Sequence, residues 1–98
     1  MTRIDLANWI AENILKWKIG TTESYRRTVE SYMYSAKGFF DVWDILCKNN
    51  QEEINVSFKQ SHTKEFNVFC GLHFNKTYSG HGKDRYEAFY NTIYEALK

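Results

Sequence analysis

The side chains that could form a catalytic site are few in this chain, and their spacing keeps them apart. The two cysteines are Cys47 and Cys70, and a cysteine nucleophile needs a thiolate beside a base. Cys70 and His73 are three positions apart, so a regular strand would place them on opposite faces. Cys47 falls within an apolar helical pattern. We therefore predict a protein without enzymatic activity, in which both thiols are buried and free.

Metal and cofactor signatures are equally sparse. Cys70, His73 and His81 would converge only if two strands paired in a favourable register, and no Cys-x-x-Cys or His-x-x-x-His spacing supports a metal site. The chain also has no Gly-x-Gly-x-x-Gly or Walker-type loop. The sequence therefore predicts surface histidines, no metal and no cofactor.

The segment from Gly80 to Arg85 is the candidate for anion binding. It surrounds the expected start of a helix, where unpaired N–H groups and the helix dipole attract anions such as a small nucleotide signal. The candidate residues are Gly80, His81, Gly82, Lys83 and Arg85. In the alternative that we favour, the glycines only form a strand-to-helix corner and the basic side chains are solvated, because Asp84 would compete with an anion.

Aromatic residues are more frequent than a core of this size requires, at 17% of the chain. Tyrosine and arginine dominate the hot spots of protein interfaces, whereas Trp9 and Trp17 are assigned to core packing. The predicted partner surface consists of Tyr25, Arg26, Arg27, Tyr32, Tyr86, Tyr90 and Tyr94.

Two helices are predicted in the first half of the chain. Thr2 can cap the first helix, which Gly20 would end, and Ser35 can cap the second. Their apolar stripes are Leu6, Ile10, Ile14 and Trp17 in the first, and Phe39, Val42, Trp43 and Leu46 in the second. Residues 20–34 show no regular pattern and are predicted to be an irregular or loop segment.

Alternating apolar and polar residues predict strands in the second half. Residues 54–58 and 66–74 alternate on either side of a polar connection, and 77–79 form a short third strand. Asp84 with Glu87 fits a capping box for a last helix. The predicted fold class is α+β in the order α-α-β-β-β-α, a three-stranded antiparallel sheet packed with helices as in an αβα sandwich. Residues 1–98 are predicted to form a single domain.

Composition restricts the classes of partner. The 13 basic and 12 acidic residues balance, which argues against a protein that holds duplex nucleic acid mainly through its phosphates. No run is long enough to span a membrane, and polar residues interrupt the N-terminus where a signal peptide would be apolar. We therefore expect no membrane partner and a location in the cytoplasm.

The C-terminal part resembles the double-stranded-RNA-binding domain, an αβββα fold whose last helix begins with Gly-x-Gly-x-Ser-Lys-Lys-x-Ala. Gly80, Gly82 and Ala88 match this pattern. At the positions of the serine and the two lysines, the chain has Asp84, Arg85 and Tyr86. The residues that would grip phosphate are the ones that differ, so the resemblance implies topology rather than RNA binding.

A second resemblance, covering nearly the whole chain, is to the phage ABA-sandwich family of small bacteriophage proteins. It rests on Ala11-Glu12-Asn13-Ile14-Leu15-Lys16-Trp17, Tyr32-Met33-Tyr34-Ser35, Phe39-Phe40-Asp41-Val42-Trp43 and Glu95-Ala96-Leu97. The closing helix departs from the family by being tyrosine-rich rather than alanine-rich. The resemblance implies a layered fold and a phage origin but no catalytic residues.

These observations favour a non-enzymatic, phage-encoded protein that inhibits a host defence system by stoichiometric binding to a host protein in the host cytoplasm. One alternative is a sponge for a small anionic or nucleotide signal at the Gly80–Arg85 corner. Another is a double-stranded-RNA binder, which predicts binding that falls steeply with salt.

Overall fold

Four helices and three strands are present in the computed structural model, which describes residues 1–49, 55–60, 66–71 and 78–98. For residue 49 and for 55–60 and 66–71 it describes the backbone alone. The elements are α1 (Arg3–Asn13), α2 (Glu23–Met33), α3 (Ala36–Asn49), β1 (Asn55–Gln60), β2 (Phe66–Gly71), β3 (Tyr78–Gly82) and α4 (Arg85–Leu97). The chain divides into two compact units, which we call the N-terminal unit (Met1–Asn49) and the C-terminal unit (Asn50–Lys98).

The helix α2 occupies the segment that was predicted to be irregular, so that prediction is wrong. The hydroxyl oxygen of Thr22 accepts a hydrogen bond from the Tyr25 N–H at 3.3 Å and caps the helix. Only Val29 and Met33 are buried on α2. They are four positions apart and therefore share one face. Two apolar side chains in a polar helix are too weak a pattern to reveal it in the sequence.

Within the N-terminal unit, α1 and α2 pack together. Leu6 and Ile10 on α1 are buried, as their four-residue spacing predicts. The side-chain amide of Asn8 joins the two helices, because its Nδ2 donates to the carbonyl oxygens of Ile4 at 2.8 Å and Arg26 at 3.2 Å. The Thr2 cap of α1 is confirmed, since its hydroxyl accepts from the Asp5 N–H at 3.2 Å.

In the C-terminal unit, β1, β2 and β3 pair antiparallel in that order, with Val56 opposite Cys70 and Phe69 opposite Ser79. The helix α4 packs against β2 and β3. Its Asp84 cap is confirmed, because the carboxylate accepts from the Glu87 N–H at 2.8 Å. The sheet is therefore covered by α4 within its own unit.

The predicted fold class, with the order α-α-β-β-β-α and helices packed on one sheet, is wrong. The described chain is mostly helical: three helices precede the first strand, and the N-terminal unit consists of helices alone. The physical reason is α2, a helix whose mostly polar residues give only a weak helical pattern in the sequence. Beyond Gln60, which belongs to β1, the predicted polar connection lies outside the described residues, and so do the predicted strand residues 54, 72–74 and 77. The prediction of one domain over 1–98 stays a prediction.

The structure describes the side chain of one of the two cysteines. Cys47 is a free cysteine but is exposed, so the prediction of a buried thiol is wrong for it, because it lies off the buried stripe of Val42 and Leu46. The side chain of Cys70 lies outside what the structure describes. No described helix combines the length and the hydrophobicity that crossing a bilayer requires.

Candidate functional site

The turn after α1 brings Trp17 against α2. Lys16 adopts a left-handed backbone conformation with φ 61°, which is uncommon for a residue other than glycine. The Trp17 N–H then donates to the carbonyl oxygen of Ala11 at 3.1 Å. The centroid of the Trp17 ring lies 5.1 Å from that of Tyr32, with the planes tilted by 45°. Trp17 is thus half-buried beside a second aromatic ring.

Tyr32 links α2 to α3 through its hydroxyl group. The Tyr32 O–H donates to the carboxylate Oδ2 of Asp41. This hydrogen bond, together with burial and the negative charge of Asp41, raises the pKa of Tyr32 above its ordinary value. The ammonium of Lys37 lies 5.9 Å from the Tyr32 ring centroid. Asp41 is therefore held in place, and its Oδ1 is not used by Tyr32.

A cavity of about 300 Å³ opens beside this pair, and we call it the Trp17 pocket. Its lining residues are Leu15, Trp17, Asp41, Asp44, Ile45 and Lys48. A tryptophan, two aspartates and a lysine thus line a space that is large enough for a side chain. All of these residues belong to the N-terminal unit.

The outer surface of α3 carries an exposed aromatic side chain. Phe40 is 59% exposed, and its ring makes an edge contact with Phe39, at 5.5 Å between centroids. Phe40, Trp43, Asp44 and Cys47 recur at helical spacing and share one side of the helix. We call these four residues the Phe40 face.

The predicted partner residues of the N-terminal unit are mostly engaged inside it. The Tyr25 hydroxyl donates to the carbonyl oxygen of Lys18 at 3.0 Å, although the residue is 40% exposed. Arg26 pairs with Asp5 at 2.5 Å. Arg27 pairs with Glu23 at 2.7 Å on the surface of α2. Of the four predicted residues in this unit, the structure brings Tyr32 alone to a pocket-lining side chain.

The three predicted partner residues of the C-terminal unit lie on α4. Tyr90 is fully buried, so its assignment to a contact surface is wrong. Its position beside Phe89 in the buried stripe explains this, because a tyrosine ring contributes to a core as phenylalanine does. Tyr86 and Tyr94 are half-buried, and the Lys98 ammonium lies 5.6 Å from the Tyr94 ring centroid.

The glycines of the Gly80–Arg85 corner have a packing role. A Cβ atom on Gly82 would lie 2.7 Å from the Ala88 backbone nitrogen, and one on Gly80 would lie 2.8 Å from the Thr92 backbone nitrogen. Neither glycine has a left-handed backbone. Their lack of a side chain lets β3 approach α4 closely. Asp84 occupies the helix N-terminus as its cap, which favours the corner interpretation over an anion site.

The basic side chains of that corner, His81, Lys83 and Arg85, are exposed. The His81 carbonyl oxygen accepts from the Asn91 side-chain amide at 2.9 Å, next to a polar cavity of about 460 Å³ between β3 and α4. Of the sequence-based metal candidates, Cys70 and His73 have side chains outside the described residues. Among the residues that the structure describes, no cluster of three His, Cys, Asp or Glu could hold a metal ion.

The chain was compared with protein-family models, with curated proteins and with solved structures. None of them matches it.

Sequence reasoning missed the residues of the Phe40 face and the acidic side of the Trp17 pocket. A signal for the first was present in the adjacent pair Phe39-Phe40. Neighbouring positions on a helix are about 100° apart, so two adjacent rings are both buried only where the buried face of the helix is broad. No comparable signal joined Asp41 and Asp44 to Trp17, because that contact depends on the turn at Lys16.

Proposed function

We propose that this protein acts by stoichiometric binding to a partner protein through the Phe40 face of α3. The observation that carries the proposal is the 59% exposure of the Phe40 side chain. Water contact with a phenylalanine ring is unfavourable, and burying it against a partner would stabilise a complex by about 1.5–3 kcal/mol. Aromatic residues are enriched at the centres of protein interfaces, where charged side chains form the rim.

The rigidity of the element supports this choice of surface. The helix α3 spans 14 residues, and the Phe39 ring stacks on Trp43 with centroids 6.3 Å apart, so Phe40 projects from an ordered base. Tyr25 and Arg27, by contrast, are held by Lys18 and Glu23. A partner would have to compete with those contacts, whereas most of the Phe40 ring is available without any rearrangement.

For the partner itself, we propose a protein of a bacterial defence system. The support is the resemblance to the phage ABA-sandwich family, whose members are small bacteriophage proteins. A phage protein that binds a host protein one-to-one inhibits it by occupying a surface, which needs no turnover and no cofactor.

The test is phage plating on bacterial strains that each carry one defence system and express this protein. We expect one strain to regain phage sensitivity, and the tagged protein to capture the corresponding defence protein from that strain. The variant Phe40→Ala should bind the captured protein at least about tenfold more weakly, as expected for a hot spot worth more than 1.4 kcal/mol.

The matched control is Tyr25→Ala, which truncates another exposed aromatic residue of the same unit. It should retain capture and inhibition, with helical content checked by circular dichroism for both variants. Loss of inhibition with Tyr25→Ala and not with Phe40→Ala would instead favour the surface predicted from the sequence. If no strain regains phage sensitivity at expression levels where the protein is soluble, the proposal is refuted.

A further inference from the structure

We propose that the Trp17 pocket receives an arginine side chain of the partner protein. The inference rests on the proposed function and deepens it, since the pocket and the Phe40 face share Asp44 on α3. The ligand chemistry is a guanidinium group. The pocket combines an aromatic face with carboxylates, the two groups that bind guanidinium best.

The two carboxylates are placed on the same side of the helix. Asp41 and Asp44 are three positions apart, so their Cβ atoms are neighbours and their charges repel. Tyr32 uses one carboxylate oxygen of Asp41, and in the described part of the chain Asp44 has no ion-pair partner. A cation between the two carboxylates would relieve the repulsion, which gives the pocket its charge preference.

The aromatic side of the pocket favours arginine over lysine. The Trp17 ring contacts the Tyr32 ring, at 5.1 Å between centroids and with the planes tilted by 45°, and this contact restrains the indole where it lines the pocket. A guanidinium is planar and less strongly hydrated than an ammonium, and it can stack on indole while its N–H groups reach carboxylates. The volume of about 300 Å³ accommodates that group together with part of its aliphatic stem.

Lys48 is the internal competitor for this site. It lines the pocket and follows Asp44 by four positions, within reach of the same carboxylate. Its ammonium is on a flexible stem and would compete with an incoming guanidinium for that carboxylate. Removal of the Lys48 charge should therefore strengthen binding, an effect opposite in sign to removal of the carboxylates.

The test is a titration of the full chain, labelled with ¹⁵N, with the capped peptide Gly-Arg-Gly, and with a peptide in which uncharged citrulline replaces arginine. The indole N–H signal of Trp17 is assigned with Trp17→Phe. We expect a saturable shift of that signal with the arginine peptide and none with citrulline, while the indole signals of Trp9 and Trp43 stay in place. Equal shifts with both peptides, or no shift, would overturn the proposal.

Charge variants give the second arm. The double variant Asp41→Asn with Asp44→Asn should bind the arginine peptide roughly fivefold more weakly, as the loss of two partly exposed ion pairs implies. The variant Lys48→Met should bind it about twofold more tightly. The matched control Glu12→Gln with Glu30→Gln makes the same change in net charge at residues that do not line the pocket. An equal loss in that control would mean a long-range charge effect and would refute the site.

The captured defence protein supplies the third arm, which separates this inference from the proposed function. We expect the Asp41/Asp44 double variant to bind that protein more weakly than wild type does. Capture that depends on Phe40 but not on Asp41 and Asp44 would overturn the arginine inference and leave the proposed function standing. Capture that is independent of Phe40 would overturn the proposed function.

Discussion

The hydrogen bond from the Tyr32 hydroxyl to the Asp41 carboxylate joins α2 to α3 beside the Trp17 pocket. It favours the protonated phenol, so the pKa of Tyr32 is raised above its ordinary value of 10.0. The folded state therefore holds this proton more tightly than the unfolded state does. The resulting contribution to stability is complete below about pH 10 and is lost as the pH rises through the folded pKa.

We predict that the pKa of Tyr32 lies above its ordinary value, and that Asp41→Ala returns it toward that value. Removing the side chain of Asp41 removes the hydrogen-bond acceptor, which is the largest cause of the raised pKa, together with its charge. The measurement is phenolate absorbance during an alkaline titration. Tyr32→Phe identifies the signal, because the step that belongs to Tyr32 should vanish in that variant. If Asp41→Ala leaves that step where it was, the hydrogen bond does not control the pKa.

At the scale of elements, the contact between β3 and α4 depends on two glycines. A Cβ atom on Gly82 would lie 2.7 Å from the backbone nitrogen of Ala88, and the helix backbone cannot move aside without disturbing its own hydrogen bonds. We predict that Gly82→Ala destabilises the protein by about 1–3 kcal/mol, the usual cost of overpacking. Thermal unfolding followed by circular dichroism measures the change.

Gly20→Ala is the matched control for that substitution. A Cβ atom there would lie 3.1 Å from Cδ1 of Tyr25, a side chain that can shift by the small distance needed more easily than a helix backbone can. The control should therefore change stability by less than about 1 kcal/mol. A similar loss in both variants would indicate a general cost of replacing glycine rather than close packing of β3 on α4.

For the whole molecule, charge balance decides which macromolecules it can hold. The formal net charge is +1, and Arg26, Arg27 and Lys98 are paired with carboxylates. A surface of mixed charge releases few counterions on meeting a nucleic acid. We predict no retention of duplex RNA in an electrophoretic assay at an ionic strength of about 0.15 M.

The variant Asp84→Ser with Tyr86→Lys tests the reason for that prediction. It restores a serine and a lysine of the RNA-binding pattern, removes the aspartate at the helix N-terminus and adds a positive charge. We expect it to retain more RNA than wild type at low salt. Wild-type retention that falls steeply with added salt would contradict the prediction and favour the RNA-binding alternative.

Only some residues of the candidate site could be predicted from the sequence. Tyr32 was chosen from its residue type and lies beside Asp41, and its part in partner binding stays a prediction. Tyr90 was chosen for the same reason and is buried, because residue type alone does not say which way a helical side chain faces. The acidic lining of the Trp17 pocket was missed, since it combines a turn with two helices that are distant in sequence.

By itself, the sequence determined the features that depend on neighbouring residues. Thr2 and Asp84 cap helices as predicted, because a cap bonds an N–H group only three positions away. Tertiary structure alone decided that α2 is a helix, since Val29 and Met33 become informative only once α1 lies against them. It also decided that Lys16 turns Trp17 toward Tyr32. A left-handed lysine is locally unfavourable and persists only where packing compensates for it.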